Sequence, residues 1–369
     1  MRLSFTADQQ EIAAEFVRVL SAEASSERAR KAVASSKGWD SALWQELAGL
    51  GWFGLGIDER FGGLGRDYLT LCLVAEAFGA NLAAIPFASS ALGFADAIAT
   101  IEDEVIARSI LPSVAAGKVI GAIVPAENWD RLDIQGGRAR GVASAVPDGA
   151  ALTHLITLGS HAGTQQVVLI EIEQCVRRKV DSLDRVNLAC AIELDDAPVR
   201  ILAERSDAQA IWSRMIDRHA IYLAFMQVGG ASAALRAACD YVGQRYAFGR
   251  ALGSFQGIKH GLADVYAAVE VARSNAWYAA ACLDIGNYKL TLAAAAARVS
   301  ATEAFRRAAR ANIHYQGGLG VTQEADAHLY YRRAQALGMT IGNPAVWRER
   351  FLQASLALRN AATPLDRAA

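Results

Sequence analysis

An excess of charge of one sign is missing from this sequence. Its 369 residues hold 37 basic and 38 acidic side chains spread along the chain, a formal net charge of −1. That balance offers no surface for nucleic acid or for an anionic membrane. Cysteine is sparse and scattered, at Cys72, Cys175, Cys190, Cys239 and Cys282. No two of these have metal-ligand spacing, and an odd, dispersed set fits reduced thiols in a cytoplasmic protein; no metal site is expected. Long apolar runs are lacking too. The alanine-rich stretch 292–299 is too short to cross a bilayer and is bounded by Lys289 and Arg298. The start, Met-Arg-Leu-Ser-Phe-Thr, has no apolar stretch of the signal-peptide kind. No G-x-G-x-x-G follows a strand-like run, which argues against a Rossmann domain. What remains is a soluble cytoplasmic chain, 53% apolar, long enough for two or three domains.

Thr6, with Gln9 three residues on, has the form of a capping box, and Ile12, Phe16, Val19 and Leu20 follow at helical spacing. Ser41 opens another helix, with Leu43, Trp44, Leu47 and Leu50 on one face. A glycine-rich turn at 61–65 precedes a further helix containing 69–78. Residues 1–117 therefore read as an N-terminal helical domain. The character changes over 118–203. Short β-branched runs at 119–124 and 167–172, and a third at 191–194, are separated by turns such as Gln135-Gly136-Gly137 and Pro147-Asp148-Gly149. This spacing predicts a small antiparallel β-domain, a barrel or sandwich. Over 204–369 helices return and are long: 212–245, interrupted only by Gly229 and Gly230, then 254–283 and 290–315. Such alanine- and leucine-rich runs pack as an antiparallel four-helix bundle. The whole reads as a mainly α chain with a central β-domain.

Two stretches in the last third carry chemistry. The first runs Gln244-Arg-Tyr-Ala-Phe-Gly-Arg250, then Gly253-Ser-Phe-Gln-Gly-Ile-Lys-His260 and Leu262-Ala-Asp264. The second runs His314-Tyr-Gln-Gly-Gly-Leu-Gly-Val-Thr-Gln-Glu324, on to His328, Leu329, Arg332 and Arg333. Arg245 supplies a permanent forked cation suited to a pyrophosphate. Phe248, three residues on, is expected on the same helix face, offering a flat apolar contact to a ring. Gly317 and Gly318 let backbone amides approach phosphate oxygens. Singly, each also reads as a helix end, a core phenylalanine and a turn.

Together, in this order and spacing, the stretches resemble the acyl-CoA dehydrogenase family, especially its bacterial branches. Leu43-Trp44, Glu46-Leu47, the glycine turn at 61–65 and Glu76-Ala-Phe-Gly79 stand in the family's order too, so the resemblance spans nearly the whole chain, most weakly in the middle third. It implies FAD, an acyl-CoA substrate losing its α-proton and β-hydride, an electron-transfer acceptor protein, and a homo- or hetero-tetramer. In the family, residues matching Arg245, Phe248, Gln256, His314, Gly317 and Gly318 reach the adenosine diphosphate half of a flavin held by a neighbouring subunit.

The same resemblance exposes what is missing. The family's glutamate base stands in one of two places, which here hold Ile341 and His219. His219 titrates in a useful range when unperturbed; a polar helix residue bonded to a neighbour is its plainer reading. Asp217 is two residues away, so it faces another direction on a helix. The family's Thr-Glu-Pro-Gly-x-Gly-Ser-Asp run becomes Val124-Pro-Ala-Glu-Asn-Trp-Asp130, and its Glu-Gly-Thr-x-Gln becomes Ile341-Gly342-Asn343-Pro344-Ala345. Groups that complete a neighbour's cofactor site are kept, and those for a flavin ring in this chain's own site are lost. The expectation is a partner subunit of a heteromeric, steroid-type acyl-CoA dehydrogenase. Competing readings are a self-sufficient homo-oligomer using His219 or a displaced carboxylate, a flavin-free structural subunit, and a flavin oxygenase on the same fold.

Overall fold

The computed structural model describes residues 5–286 and 288–362. Six helices come first: α1 Ala7–Glu23, α2 Ser26–Ala34, α3 Ser41–Gly49, α4 Tyr68–Ala80, α5 Ala95–Thr100 and α6 Glu104–Ala115. A π-helical segment, Ala88–Phe94, leads directly into α5. The capping box is present: the Thr6 hydroxyl accepts from the Gln9 amide while the Gln9 side chain accepts from the Thr6 amide. Asp40, not Ser41, caps α3, and Leu50 lies exposed beyond its end while Leu43, Trp44 and Leu47 are buried.

Seven strands follow: β1 Gly121–Ile123, β2 Trp129–Gln135, β3 Arg138–Pro147, β4 His154–His161, β5 Thr164–Glu171, β6 Val176–Lys179 and β7 Ala189–Glu204. They form one sheet in the order β1-β4-β5-β7-β3-β2, with β6 also paired to β7. The sheet is mixed, not purely antiparallel, because β1 runs parallel to β4. The β2–β3 hairpin lies between those two strands in sequence and supplies the long crossover that a parallel pair requires. β7 joins the two halves: residues from Ala189 to Pro198 pair with β3, and residues from Val199 to Glu204 pair with β5.

The C-terminal part holds α7 Ser206–Gln244, a two-residue hairpin of β8 Tyr246–Ala247 and β9 Arg250–Ala251, then α8 Gln256–Asp284, α9 Leu290–Gln316, α10 Ala327–Leu337 and α11 Pro344–Ala362. Helices α7, α8, α9 and α11 pack as a bundle, and α4 lies across α7. That crossing is unusually close. A Cβ on Gly79 of α4 would fall 2.0 Å from the Met226 carbonyl oxygen, and one on Gly229 of α7 would fall 1.9 Å from that of Glu76. Backbone meets backbone there, so no side-chain rotation relieves an added methyl.

Overpacking of this kind costs about 1–3 kcal/mol when neighbours can give, and here the neighbours are main chain. Gly79→Ala is therefore expected to lose at least about 2 kcal/mol in urea unfolding. Gly243→Ala, also on α7 but with nothing within 4 Å of the added atom, should be neutral or gain up to about 1 kcal/mol.

Candidate functional site

The first motif does not continue the helix. α7 stops at Gln244, and Arg245 is already extended, its amide donating to the Tyr241 carbonyl. Tyr246 pairs with Ala251 and Ala247 with Arg250, leaving Phe248 and Gly249 as a two-residue turn. Their φ values, 52° and 78°, are both left-handed, as a type I′ turn demands. Phe248 therefore does not share a helix face with Arg245. It stands at the hairpin tip, 95% exposed. The sequence reading missed this because it treated Phe-Gly as the end of a helix, whereas glycine in the second turn position lets the chain reverse.

The second motif meets the first. Tyr315, near the end of α9, lies over Gly261 in the second turn of α8, its hydroxyl 2.2 Å from where a Cβ would be. The start of α8 and the end of α9 thus share one end of the bundle. Arg245, Gln256, His314, Gly317 and Gly318 are all exposed there. No side chain caps the start of α8; the Ile258 amide donates to the Phe255 carbonyl, and the Gln256 and Gly257 amides before it remain open to an acceptor. Gly317 has φ 61° and leaves open space around it. His314 borders a groove of about 1260 Å³ whose charged lining residues, Arg30, Lys179, Arg185, Arg310 and Arg332, are all basic. A forked cation, an exposed aromatic ring, free helix amides and a basic groove fit the diphosphate end of a dinucleotide.

The other place named by the sequence lies inside. His219 and Arg333 line a cavity at the junction of the N-terminal helices, the sheet and the bundle. Its volume is about 90 Å³, against roughly 300–1,000 Å³ for a typical cofactor or ligand pocket. A flavin ring and a thioester do not fit. His219 itself closes one wall: a Cβ on Gly93 would lie 2.5 Å from its Cε1. Beyond it, Asp96 is bonded to Arg218, whose guanidinium sits 4.8 Å from the Tyr68 ring. Ile341 contributes no polar group; it is buried with φ 52°, and its carbonyl accepts from the Trp347 indole.

No base of ordinary strength stands free in this cavity among the described residues. Burial, aided by the nearby Arg298 charge, pushes the His219 imidazole down to about 3, so it is neutral and a poor proton acceptor near pH 7. Asp217 faces elsewhere, accepting from Thr291 at 2.7 Å and Arg350 at 2.8 Å. Asp148 was read only as a turn residue, yet its carboxylate lines the cavity, held by Ser89 and by Asn187, and burial raises its pKa. Arg333, read as part of a motif, is likewise buried in the wall. Neither position could be found without the tertiary fold, which brings residues 148 and 333 to one place.

The acyl-CoA dehydrogenase N-terminal domain family matches residues 6–118, and the acyl-CoA dehydrogenase C-terminal domain family matches residues 210–356. The chain is similar to acyl-CoA dehydrogenase IpdE2 of Mycobacterium tuberculosis, at 28% identity over 85% of this chain and 87% of that protein. IpdE2 of Mycolicibacterium smegmatis matches at 27%, over 87% and 90%. Among solved structures, a single-residue variant of the Tcur3481-Tcur3483 steroid ACAD superposes with a TM-score of 0.86 at 25% identity, covering 96% of this chain and 99% of that one. The ChsE4-ChsE5 complex from Mycobacterium tuberculosis has the same fold, with a TM-score of 0.86 at 22% identity over 99% and 100%.

The depressed His219 pKa makes a prediction with a definite sign. Below about pH 6.5 the unfolded chain takes up a proton that the folded chain refuses until about pH 3. Stability through this group is therefore present at neutral pH and lost as pH falls. Between pH 7 and pH 5 the parent should lose about 2 kcal/mol more than His219→Leu in urea unfolding. Equal losses would mean that His219 titrates as an exposed histidine.

Proposed function

Because the chain belongs to the acyl-CoA dehydrogenase family, we propose that it is one subunit of an FAD-dependent acyl-CoA dehydrogenase whose active site is shared. In this reading Arg245, Phe248, Gln256, His314, Gly317 and Gly318 hold the adenosine diphosphate end of the cofactor. A second gene product supplies the ring contacts and the base. The observation that carries the reading is the contrast between an open, basic end of the bundle and a cavity of about 90 Å³ where a ring and thioester would need to lie.

When bound, FAD would accept the hydride leaving the β-carbon of an acyl thioester. This chain's own work is binding and orientation. The Arg245 guanidinium neutralises pyrophosphate charge, the first amides of α8 donate to phosphate oxygens, and the Phe248 ring covers an apolar face. Reoxidation by an electron-transfer protein, assembly as an α2β2 tetramer and a cytoplasmic site of action belong to the same reading. Among the described residues no helix is long and apolar enough to cross a membrane. Similarity to a steroid ACAD supports a bulky, steroid-derived acyl-CoA as substrate.

A second reading, a self-sufficient homo-oligomer, draws support from Asp148. It is a carboxylate with a raised pKa in the cavity wall, the property a general base needs. Co-expression with the genomic neighbour separates the two. The lone chain should be colourless, and the complex should show flavin absorption that acyl-CoA bleaches. In the complex Arg245→Ala should raise the flavin dissociation constant at least tenfold, since an interaction worth about 1.4 kcal/mol shifts it tenfold, while Asp148→Asn and His219→Ala leave kcat within about twofold. Flavin and activity in the lone chain, lost in Asp148→Asn, would establish the second reading. A complex free of flavin would make this a structural subunit.

A further inference from the structure

The hairpin that ends in Phe248 carries a second arginine, placed with the first. Arg250 pairs with Ala247, and the Leu252 amide donates to the Arg245 carbonyl at 2.8 Å. The antiparallel register therefore runs on to set Arg245 opposite Leu252. Residues two apart share a face of such a ribbon, which puts Arg245, Ala247, Arg250 and Leu252 on one side. Arg245 and Arg250 are diagonal neighbours there, with Cα atoms roughly 7–8 Å apart. The ion pairs of the C-terminal helices use Arg214, Arg218, Arg273 and Arg350, and no carboxylate pairs with Arg245 or Arg250 among the described residues. Both are exposed and hydrated, so their charge needs no counter-ion; their placement is what sets them apart.

Arg250 is held in place. Its Cζ lies 3.8 Å from the centroid of the Phe255 ring, the closest cation–π contact among the described residues. Phe255 is itself fixed: its amide donates to the Leu252 carbonyl, and its carbonyl accepts from the Ile258 and Lys259 amides as α8 begins. The Phe248 ring meets the same phenylalanine edge-on, with centroids 6.3 Å apart. One half-buried ring thus braces both the hairpin tip and the Arg250 fork. The two residues after it, Gln256 and Gly257, carry the open amides of α8. Acids keep their distance. Asp264, the first on α8, stands eight residues beyond Gln256, about 12 Å along the helix, and Asp240 of α7 lines a separate groove with Arg236 and Arg273.

We infer that Arg250 is a second diphosphate-binding residue, and that Phe255 is the positioning residue that holds its guanidinium on the Arg245 side of the hairpin. The inference rests on the shared-site reading, in which this end of the bundle receives the adenosine diphosphate half of FAD. To that reading it adds the device that orients the anion. A diphosphate spreads its charge over two phosphoryl groups, and each presents oxygens in the geometry that a guanidinium fork matches. Two forks on one ribbon face take one phosphoryl group each. A monophosphate engages only one of them, and a nucleoside neither, so the pair sets a preference for the diphosphate.

The test uses the flavin-depleted complex with the genomic neighbour, following FAD binding by flavin fluorescence with ADP, AMP and adenosine as competitors. Arg250→Met is expected to weaken FAD and ADP about tenfold, the loss of one charge-assisted contact, while adenosine stays within about twofold. Arg250→Lys keeps the charge without the fork or the stacked plane, and should recover only part of that loss. Phe255→Leu leaves both arginines in place and should weaken ADP about threefold, again sparing adenosine. Equal losses for ADP, AMP and adenosine would mark a merely structural role and overturn the inference. FAD affinity within about twofold of the parent in Arg250→Met, with Arg245→Ala still about tenfold weaker, would overturn it and leave the shared-site reading standing. A parent complex that binds no flavin overturns both. Should Arg250→Met not assemble, Arg250→Lys and Phe255→Leu decide by the same competition.

Discussion

The architecture depends on one helix packed at backbone distance. α7 has 39 residues and so spans about 58 Å, long enough to touch every part of the molecule. Gly79 and Gly229 let α4 lie directly on it, and Gly230 seats the Phe305 ring of α9 on another side. With both sides fixed at contact distance, the rotation of α7 about its axis is fixed too. Each residue advances about 100°, so three consecutive side chains reach three different surroundings. Asp217 joins α9 and α11, Arg218 joins Asp96 of α5, and His219 enters the cavity. The same helix delivers Arg245 to the far end, where the chain turns outward.

That geometry separates an exposed site from an enclosed one. At the exposed end charge is hydrated, so cations there cost little to maintain. In the interior the cost is large, and the protein meets it with carbonyls and one ion pair after another. Arg298 shows the limit of that solution. Burial and the neighbouring Arg306 charge push it down to about 9, yet its bonds to Leu337 and Thr340 pin the segment before Ile341. The left-handed backbone of Ile341, unfavourable for a β-branched residue, is held by Arg298 on one side and by Trp347 on the other. Ile341, a position where the family resemblance implies an acid, is instead an anchored, buried apolar residue.

Much of this was legible in the chain itself, unevenly. The Thr6 capping box, the long bundle helices and the opposite facing of Asp217 and His219 follow from local chemistry and helical period, and all are present. Helix α2 was passed over because its mean character is polar: only Ala29 is buried. The π-helical segment 88–94 reads as small residues without a period, and its conformation is set by packing under β1 and α7. Phe248 was misassigned because φ > 0 at a phenylalanine is not written in residue preference; the hairpin register imposes it. The cavity was beyond reach, since residues 93, 148, 219 and 333 become neighbours only after the sheet closes over α7.

The narrowness of that cavity comes from the elements packed around His219. Protonating His219 would be the obvious way to expel it, but its pKa of about 3 keeps it neutral through the whole physiological range. Its ring packs on Gly93 of the π-helical segment, where only the lack of a Cβ leaves room for it, and that segment is continuous with α5, which carries the Asp96–Arg218 pair. Removing one partner of that mostly buried pair would cost about 3–5 kcal/mol. The space beside His219, about 90 Å³, is not ring-sized. On the shared-site reading, flavin chemistry takes place against another subunit's walls, with the exposed end of this bundle as this chain's contribution.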